Sequence, residues 1–277
     1  MNATASSQIF SAARFGATLR RDWRMERSSW AWRILAMMGV IGVMMFLITA
    51  ISSDVSFDSE PVIKNFGIER ISLGYLCFFM LFVFLCLGAS QFYHGYATPG
   101  QRLNQLMNPA STLEKFASRF VICIIGVPVA FALCWELCDL LRVWLGDMFY
   151  SSGVSAHVSV FDAMGIVKLK IGRTIYSPYM ILCWQAIYAL GSTLWPKNSF
   201  LKTIGAMCVL EFIYGFVGGW SFSWFVDFNN LHVDSDAAIN LFDNFELFSI
   251  LSNVTVTLFC FITAYFRMRE EEIIQRM

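Results

Sequence analysis

Three acidic residues stand inside or at the edge of long apolar stretches, where an ionised group is expensive to bury and usually purposeful. Glu211 lies well inside one stretch, with Tyr214 and Tyr188 as conceivable hydrogen-bond partners. Glu136 and Asp139 are three residues apart near the end of another stretch, on one helix face. Two interpretations stay open. The acids line a polar path for a substrate with a cationic group, or Glu211 is protonated and hydrogen-bonded while the other two reach water.

The other candidate residues for chemistry are histidines and cysteines. The histidines at 94, 157 and 232 are far apart in the sequence and are typical of polar interface residues. Cys134 and Cys138 share a helix face, but no His or further Cys stands at ligand spacing. The sequence has no P-loop, no H-E-x-x-H and no G-x-S-x-G. We therefore predict no catalytic residue, metal or cofactor, and we assign any ATP hydrolysis to a partner subunit.

Composition places these residues in a membrane protein. Of the 277 residues, 57% are apolar and 14% charged, against about 25% charged in soluble domains. Mean hydropathy is +0.58. The formal net charge is zero, which gives no electrostatic case for nucleic acid. These values exclude a soluble enzyme, a disulfide-built secreted module and a disordered scaffold.

Six apolar stretches have about the length that a helix needs to cross a bilayer, roughly 20 residues. We predict an all-α integral membrane protein in which residues 1–277 form a single transmembrane domain. Residues 1–33 form a cytoplasmic amphipathic segment, and residues 267–277 form a cytoplasmic tail. The first stretch is longer than a signal-peptide core, so we expect it to be retained. The spans are predicted at about 34–51, 71–90, 120–138, 176–195, 203–226 and 247–266.

The distribution of Lys and Arg predicts the orientation, since cytoplasmic loops carry the basic excess. The side that holds both termini has 14 basic residues and the opposite side has 6. Both termini are therefore predicted to be cytoplasmic. The segment 227–246 has five acids and no basic residue, and we expect it outside, packed on the membrane surface.

Residues 9–27 have the pattern of an amphipathic helix. Phe15, Leu19 and Trp23 recur at four-residue spacing, and arginines occupy much of the remaining surface. Such a helix typically lies in the inner membrane interface. The alternative is a generic positively charged anchor before the first span.

A short, separately capped helix is predicted between the second and third spans. Thr98-Pro-Gly-Gln101 fits a capping box with Pro at the first helical position, and Pro109 stops the helix. Ser111-Thr-Leu-Glu114 is a second capping box, which starts the helix that becomes the third span. A loop that merely connects two spans needs neither cap, so the pattern favours a helix that contacts a partner.

This arrangement resembles the permease half of an ABC-2 type exporter. The stretch Leu106-Met-Asn-Pro-Ala-Ser-Thr-Leu-Glu-Lys-Phe116 resembles an "LPASTLEKF" segment of ABC-2-like membrane proteins of Bacteroidetes, with Met-Asn in place of Leu residues before Pro109. The resemblance implies a bacterial cytoplasmic membrane protein that pairs with a second permease, as homodimer or heterodimer, and binds an ABC ATPase. Residues 99–107 would be the coupling helix, with Leu103, Leu106, Met107 and Arg102 as contact residues.

A rival hypothesis is a non-transporting accessory or regulatory scaffold in the membrane. It leaves the doubly capped helix without a role. No motif in the sequence distinguishes lipid, peptide, antibiotic or sugar-lipid substrates.

Overall fold

The computed structural model describes residues 10–52, 66–96, 99–149, 157–171, 178–225 and 235–274. In these ranges the chain is helical and contains no strand. The helices are α1 (Ala12–Ser52), α2 (Phe66–Ser90), α3 (Pro99–Leu106), α4 (Thr112–Phe120), α5 (Gly126–Phe149), α6 (Val160–Ile171), α7 (Pro178–Leu194), α8 (Ser199–Phe225) and α9 (Ser235–Ile274). A 3-10 turn at His94–Tyr96 precedes α3.

The chain divides into two compact units. The first comprises Met1–Gly88 and Asn108–Ser177, and the second comprises Ala89–Met107 and Pro178–Met277. In the first unit α1 packs against α4 and α5. In the second unit α7 packs against α8 and α9.

Five helices in the described ranges are long and apolar enough to cross a bilayer. They contain the predicted spans 34–51, 71–90 and 120–138 and described parts of the spans 203–226 and 247–266. The prediction of a multi-pass helical membrane protein is therefore confirmed. The stretch predicted at 176–195 forms α7, an apolar helix of 17 residues.

Two helices continue through positions where the sequence analysis predicted a boundary between elements. Residues 12–52 form one helix of 41 residues, so the Arg-rich segment and the first span are continuous rather than two elements. Likewise α9 joins residues 235–246, predicted as part of a loop, to the last span and to much of the tail. Neither helix contains a proline, the residue that most effectively breaks a helix.

The helix that contains the third span begins at its predicted capping box and includes an irregular turn. α4 and α5 are joined without a break by a π-helical turn at Val121–Ile125, and we call the whole the α4–α5 column. A π turn inserts an extra residue, and such turns are frequent at functional sites. The sequence analysis did not predict α6, which follows α5 in the third loop.

The core of the first unit is apolar and close-packed. Trp135 and Phe131 of α5 are fully buried and stack with their ring centroids 6.1 Å apart. A β-carbon added to Gly88 of α2 would lie 2.4 Å from a methyl group of Val127, so only glycine permits this approach of α2 to α5. In the second unit Gly191 permits the close approach of α7 to α8, because a β-carbon there would lie 2.1 Å from the hydroxyl oxygen of Thr203.

Candidate functional site

The predicted partner-binding helix forms with nearly the predicted bounds. α3 begins at Pro99 and ends at Leu106, and Met107 follows as a turn before Pro109. Proline at the first position costs nothing, since its missing N–H has no partner within the helix. The predicted N-cap, Thr98, lies outside the described residues, so the first capping box stays a prediction.

One face of α3 contacts neighbouring residues of the chain, and another face is exposed. Nε of Arg102 donates a 2.6 Å hydrogen bond to the carbonyl oxygen of Tyr96, whose ring stacks on Tyr93 at 4.4 Å. Gln105, three residues after Arg102, is buried. On another face Leu103 and Met107 are 62% and 84% exposed.

Two of the predicted contact residues need separate comment. The guanidinium of Arg102 is engaged within the chain, where it holds α3 on the 3-10 turn. This contact gives Arg102 a positioning role that the sequence analysis did not foresee. The side chain of Leu106 lies outside the described set.

The capping box at the start of α4 is confirmed. The backbone N–H of Glu114 donates to the hydroxyl of Ser111 at 3.2 Å, and the N–H of Ser111 donates to Oε2 of Glu114 at 2.9 Å. The other carboxylate oxygen, Oε1, accepts a 2.7 Å hydrogen bond from the N–H of Ser11 and lies 3.3 Å from Nη2 of Arg14. The cap therefore also fastens the beginning of α1 to α4.

A buried ion cluster continues this contact along the two helices. Asp22 accepts a 2.6 Å hydrogen bond from the hydroxyl of Ser118, and its Oδ2 lies 3.8 Å from Nε of Arg119. Glu26 pairs with Nη1 of Arg119. Ser118, Arg119 and Asp22 are all buried. We call Asp22, Glu26, Ser118 and Arg119 the α1–α4 ion cluster.

The sequence analysis missed this cluster because it weighed only the arginines and the apolar stripe of the amino-terminal segment, and not its acids. The sequence does contain a pattern that indicates the cluster. Thr18, Asp22 and Glu26 recur at four-residue spacing, which places one hydroxyl and two carboxylates on a single helix face. That face is the one turned to α4, since Thr18 and Asp22 are buried.

A second polar cluster lies at the carboxyl-terminal half of α5. Oδ1 of Asp139 accepts from Nε of Arg142 at 2.8 Å, and Oδ2 accepts from the N–H of Val158 at 2.8 Å. Oδ2 also lies 2.7 Å from Nδ1 of His157. Glu136 lies 3.2 Å from the other ring nitrogen of His157 and accepts from the N–H of Val160 at 3.1 Å.

This cluster corrects one interpretation of the two acids. Asp139 is completely buried, so the expectation that it reaches water is wrong. Both of its oxygens are occupied by contacts within the chain, which leaves none free for a cationic substrate. Trp135 adds a 3.0 Å hydrogen bond from its ring N–H to the carbonyl of Val158. The cluster fastens residues 157–160 to α5.

Glu211 lies in a different setting from the one expected. It is exposed, as is every residue from 208 to 217 of α8. Tyr214 is 81% exposed, whereas Tyr188 is buried and stacks on Phe200. Within the described ranges Glu211 has no hydrogen bond or ion pair, so the hydrogen-bonded interpretation is not met inside this chain.

The polar groups described here hold segments of the chain together, and the exposed side chains are available for contact with a partner. The described residues contain no group of three or more His, Cys, Asp or Glu that could hold a metal ion. All eight cysteines are free thiols, of which seven are buried and Cys208 is exposed. Among the described residues, the exposed apolar side chains include those on one face of α3 and along α8.

Comparison with known proteins adds no assignment: no family model, no curated protein and no solved structure matches this chain.

Proposed function

We propose that this chain is the permease subunit of an ABC-2 type exporter in the bacterial cytoplasmic membrane. It crosses the bilayer six times with both termini in the cytoplasm, and a separate ATPase subunit drives transport. The substrate is left open, since no site described above selects one.

The observation that carries this proposal is α3. An eight-residue helix between two membrane helices is held at one face by Arg102, and its Leu103 and Met107 side chains are exposed. Exposed apolar side chains on a helix held by other contacts are able to anchor a protein interface, where a few residues carry most of the binding energy. A helix so placed is suited to transmit force from a cytoplasmic ATPase to the spans on either side of it in the sequence.

The number and direction of the spans are part of the proposal. α7 is 17 residues long, or about 26 Å at 1.5 Å per residue, slightly short of a hydrocarbon core of about 30 Å. We count α7 as the fourth of six spans, because the apolar stretch in the sequence begins at 176, two residues before the described helix. The basic asymmetry of 14 to 6 supports placing both termini inside.

We also propose that two permease chains pair through α8. Ten consecutive residues of α8, from 208 to 217, are exposed, so exposed side chains occupy every face of the helix there. A carboxylate on that surface is costly in hydrocarbon, where acidic residues almost always face other protein or water. A second chain packed on α8 would remove Glu211 from lipid and supply a hydrogen-bond partner.

The test charges the open face of α3. The tagged full chain is expressed in its native host as wild type, Leu103→Glu and Met107→Glu, and the co-purifying ATPase is measured by mass spectrometry and by ATP hydrolysis. Gln101→Glu is the matched control, because Gln101 is exposed and lies about 200° around the helix from Leu103. It adds the same charge with little change of shape.

We expect the two apolar-to-Glu variants to insert normally and lose the ATPase, while Gln101→Glu retains it. Full ATPase recovery with both variants would make α3 an ordinary surface helix. If no ATPase accompanies the wild-type chain in its native host, the accessory-scaffold hypothesis takes precedence.

A further inference from the structure

An open apolar groove lies between α1 and the α4–α5 column, entirely within the first unit. Its volume is about 850 Å³, and its walls are residues 16–38 of α1 and residues 121–137 of the column. At 1.5 Å per residue the second wall is about 24 Å long, which suits an extended hydrocarbon chain better than a compact solute. Arg20 is the only charged side chain among the described residues that line it.

Small residues and the π turn keep the groove open. Gly126 and Ala130 lie on its wall directly after the π turn. A β-carbon at Gly126 would already contact the ring of Trp30 at 3.9 Å. Larger side chains at Gly126 and Ala130 would fill the groove. The small residues therefore leave a space between the two helices that closely packed helices would not have.

The charge near one end of the groove is positive and unbalanced. Asp22 and Glu26 are both committed to the α1–α4 ion cluster. In contrast Arg20, Arg24 and Arg27 are exposed and form no ion pair with the described residues. Their spacing of four and three puts them on one stripe of α1, and Arg20 opens into the groove. Basic pockets between membrane helices are typical binding places for anionic lipid headgroups.

Tryptophans mark the point where the polar and apolar parts of the groove meet. Trp30 lines the groove and is almost wholly buried, and its ring N–H has no acceptor among the described residues. Trp23 packs against it at 6.0 Å and is 49% exposed. Tryptophan is enriched at the membrane–water interface, where one end of the side chain is apolar and the other is hydrated. The groove therefore crosses that boundary.

We propose that this groove binds one anionic phospholipid. The phosphate lies near Arg20 and Arg27, and an acyl chain lies along the apolar wall past Gly126 and Ala130. A helix of a second copy would fill the apolar part but leave the arginines without an anion, and a free phosphate would leave the apolar part empty. The inference does not depend on the proposed transport function.

The experiment measures lipid retention by the purified full chain with native mass spectrometry. The protein in mild detergent is titrated with phosphatidylglycerol, with phosphatidylcholine of the same acyl chains, and with glycerophosphoglycerol, which has the headgroup alone. The charge variant is Arg20→Gln with Arg27→Gln, and its control is Arg70→Gln, an exposed arginine of α2. The space-filling variant is Ala130→Leu, and its control is Ala36→Leu, which is exposed on α1 away from the groove.

We expect wild type to retain phosphatidylglycerol over phosphatidylcholine, and the charge variant to lose that preference by about tenfold or more, since each basic side chain near the headgroups contributes about fivefold. Ala130→Leu should reduce retention of both lipids and keep the preference, while both controls behave as wild type. Equal retention of the two lipids by wild type would overturn the proposal. So would unchanged preference in the charge variant, or binding of glycerophosphoglycerol as tight as that of the lipid. A loss of dimer in Ala130→Leu without loss of lipid would identify the groove as a protein interface instead.

Discussion

The hydroxyl of Ser118 on α4 donates a 2.6 Å hydrogen bond to the carboxylate of Asp22 on α1, and both residues are buried. Next to this contact Arg119 lies against the same carboxylate and pairs with Glu26. One buried arginine thus stands against two acids, of which Asp22 is buried and Glu26 is partly exposed. An unpaired buried charge is far more costly than a pair, so the burial of Asp22 depends on Arg119.

Removing the cation should therefore be strongly destabilising. We expect Arg119→Met to lower the free energy of unfolding by about 3–5 kcal/mol, because Asp22 would remain buried without a cation and Glu26 would lose its partner. Arg24→Met, at an exposed position, should change it by less than about 0.5 kcal/mol. The measurement is unfolding in mixed micelles followed by circular dichroism. Adding Asp22→Asn and Glu26→Gln to Arg119→Met should recover part of the loss, and no recovery would show that shape, not charge, is what Arg119 contributes.

The cluster around Asp139 predicts where the segment after α5 is attached. In Asp139→Asn the carboxylate that accepts from the N–H of Val158 and binds Arg142 is lost. We expect amide exchange at Val158 and Val160 to rise by about tenfold or more, consistent with the loss of hydrogen bonds to a charged acceptor. Hydrogen–deuterium exchange with peptide resolution measures this. Asp162→Asn is the control, since Asp162 is exposed and contacts only Ser159 among the described residues; equal exchange in both variants would argue against the attachment.

Orientation is testable with single cysteines in a background that lacks the eight native ones. Gln101→Cys and Lys197→Cys should react with an impermeant maleimide only after the membrane is opened, whereas Asp162→Cys should react in intact cells. All three positions are exposed, so accessibility depends on the side of the membrane rather than on burial. The reverse pattern would invert the proposed topology and remove α3 from the cytoplasm.

Pairing through α8 makes a prediction about one native thiol. Cys208 is the exposed cysteine and lies one turn before Glu211 on the same face of α8. In a symmetric pair the two Cys208 residues come close, so mild oxidation in native membranes should give a disulfide-linked dimer, and Cys208→Ser should abolish it. If native mass spectrometry finds two copies of this chain but no such product forms, the pairing surface is not α8.

Several features follow from local sequence alone. Apolar stretches of sufficient length become membrane helices because the bilayer leaves a backbone no other way to satisfy its hydrogen bonds. The start of α3 at Pro99 and the cap of α4 at Ser111 and Glu114 depend on residues three or four apart, so their patterns are visible in the sequence. The absence of proline from α1 and α9 was equally visible and is consistent with their continuity.

Other features depended on residues distant in the sequence. Asp22 and Arg119 are 97 positions apart, and nothing near either one identifies its partner. Asp139 sits at the end of an apolar stretch, where hydropathy alone suggests contact with water, yet the return of residues 157–160 buries it completely. Burial and ion pairing are properties of two packed surfaces, and only tertiary packing determines which surfaces meet. For the same reason the sequence predicts Glu211 inside a span but does not show that Glu211 is exposed, which depends on the packing of the described helices.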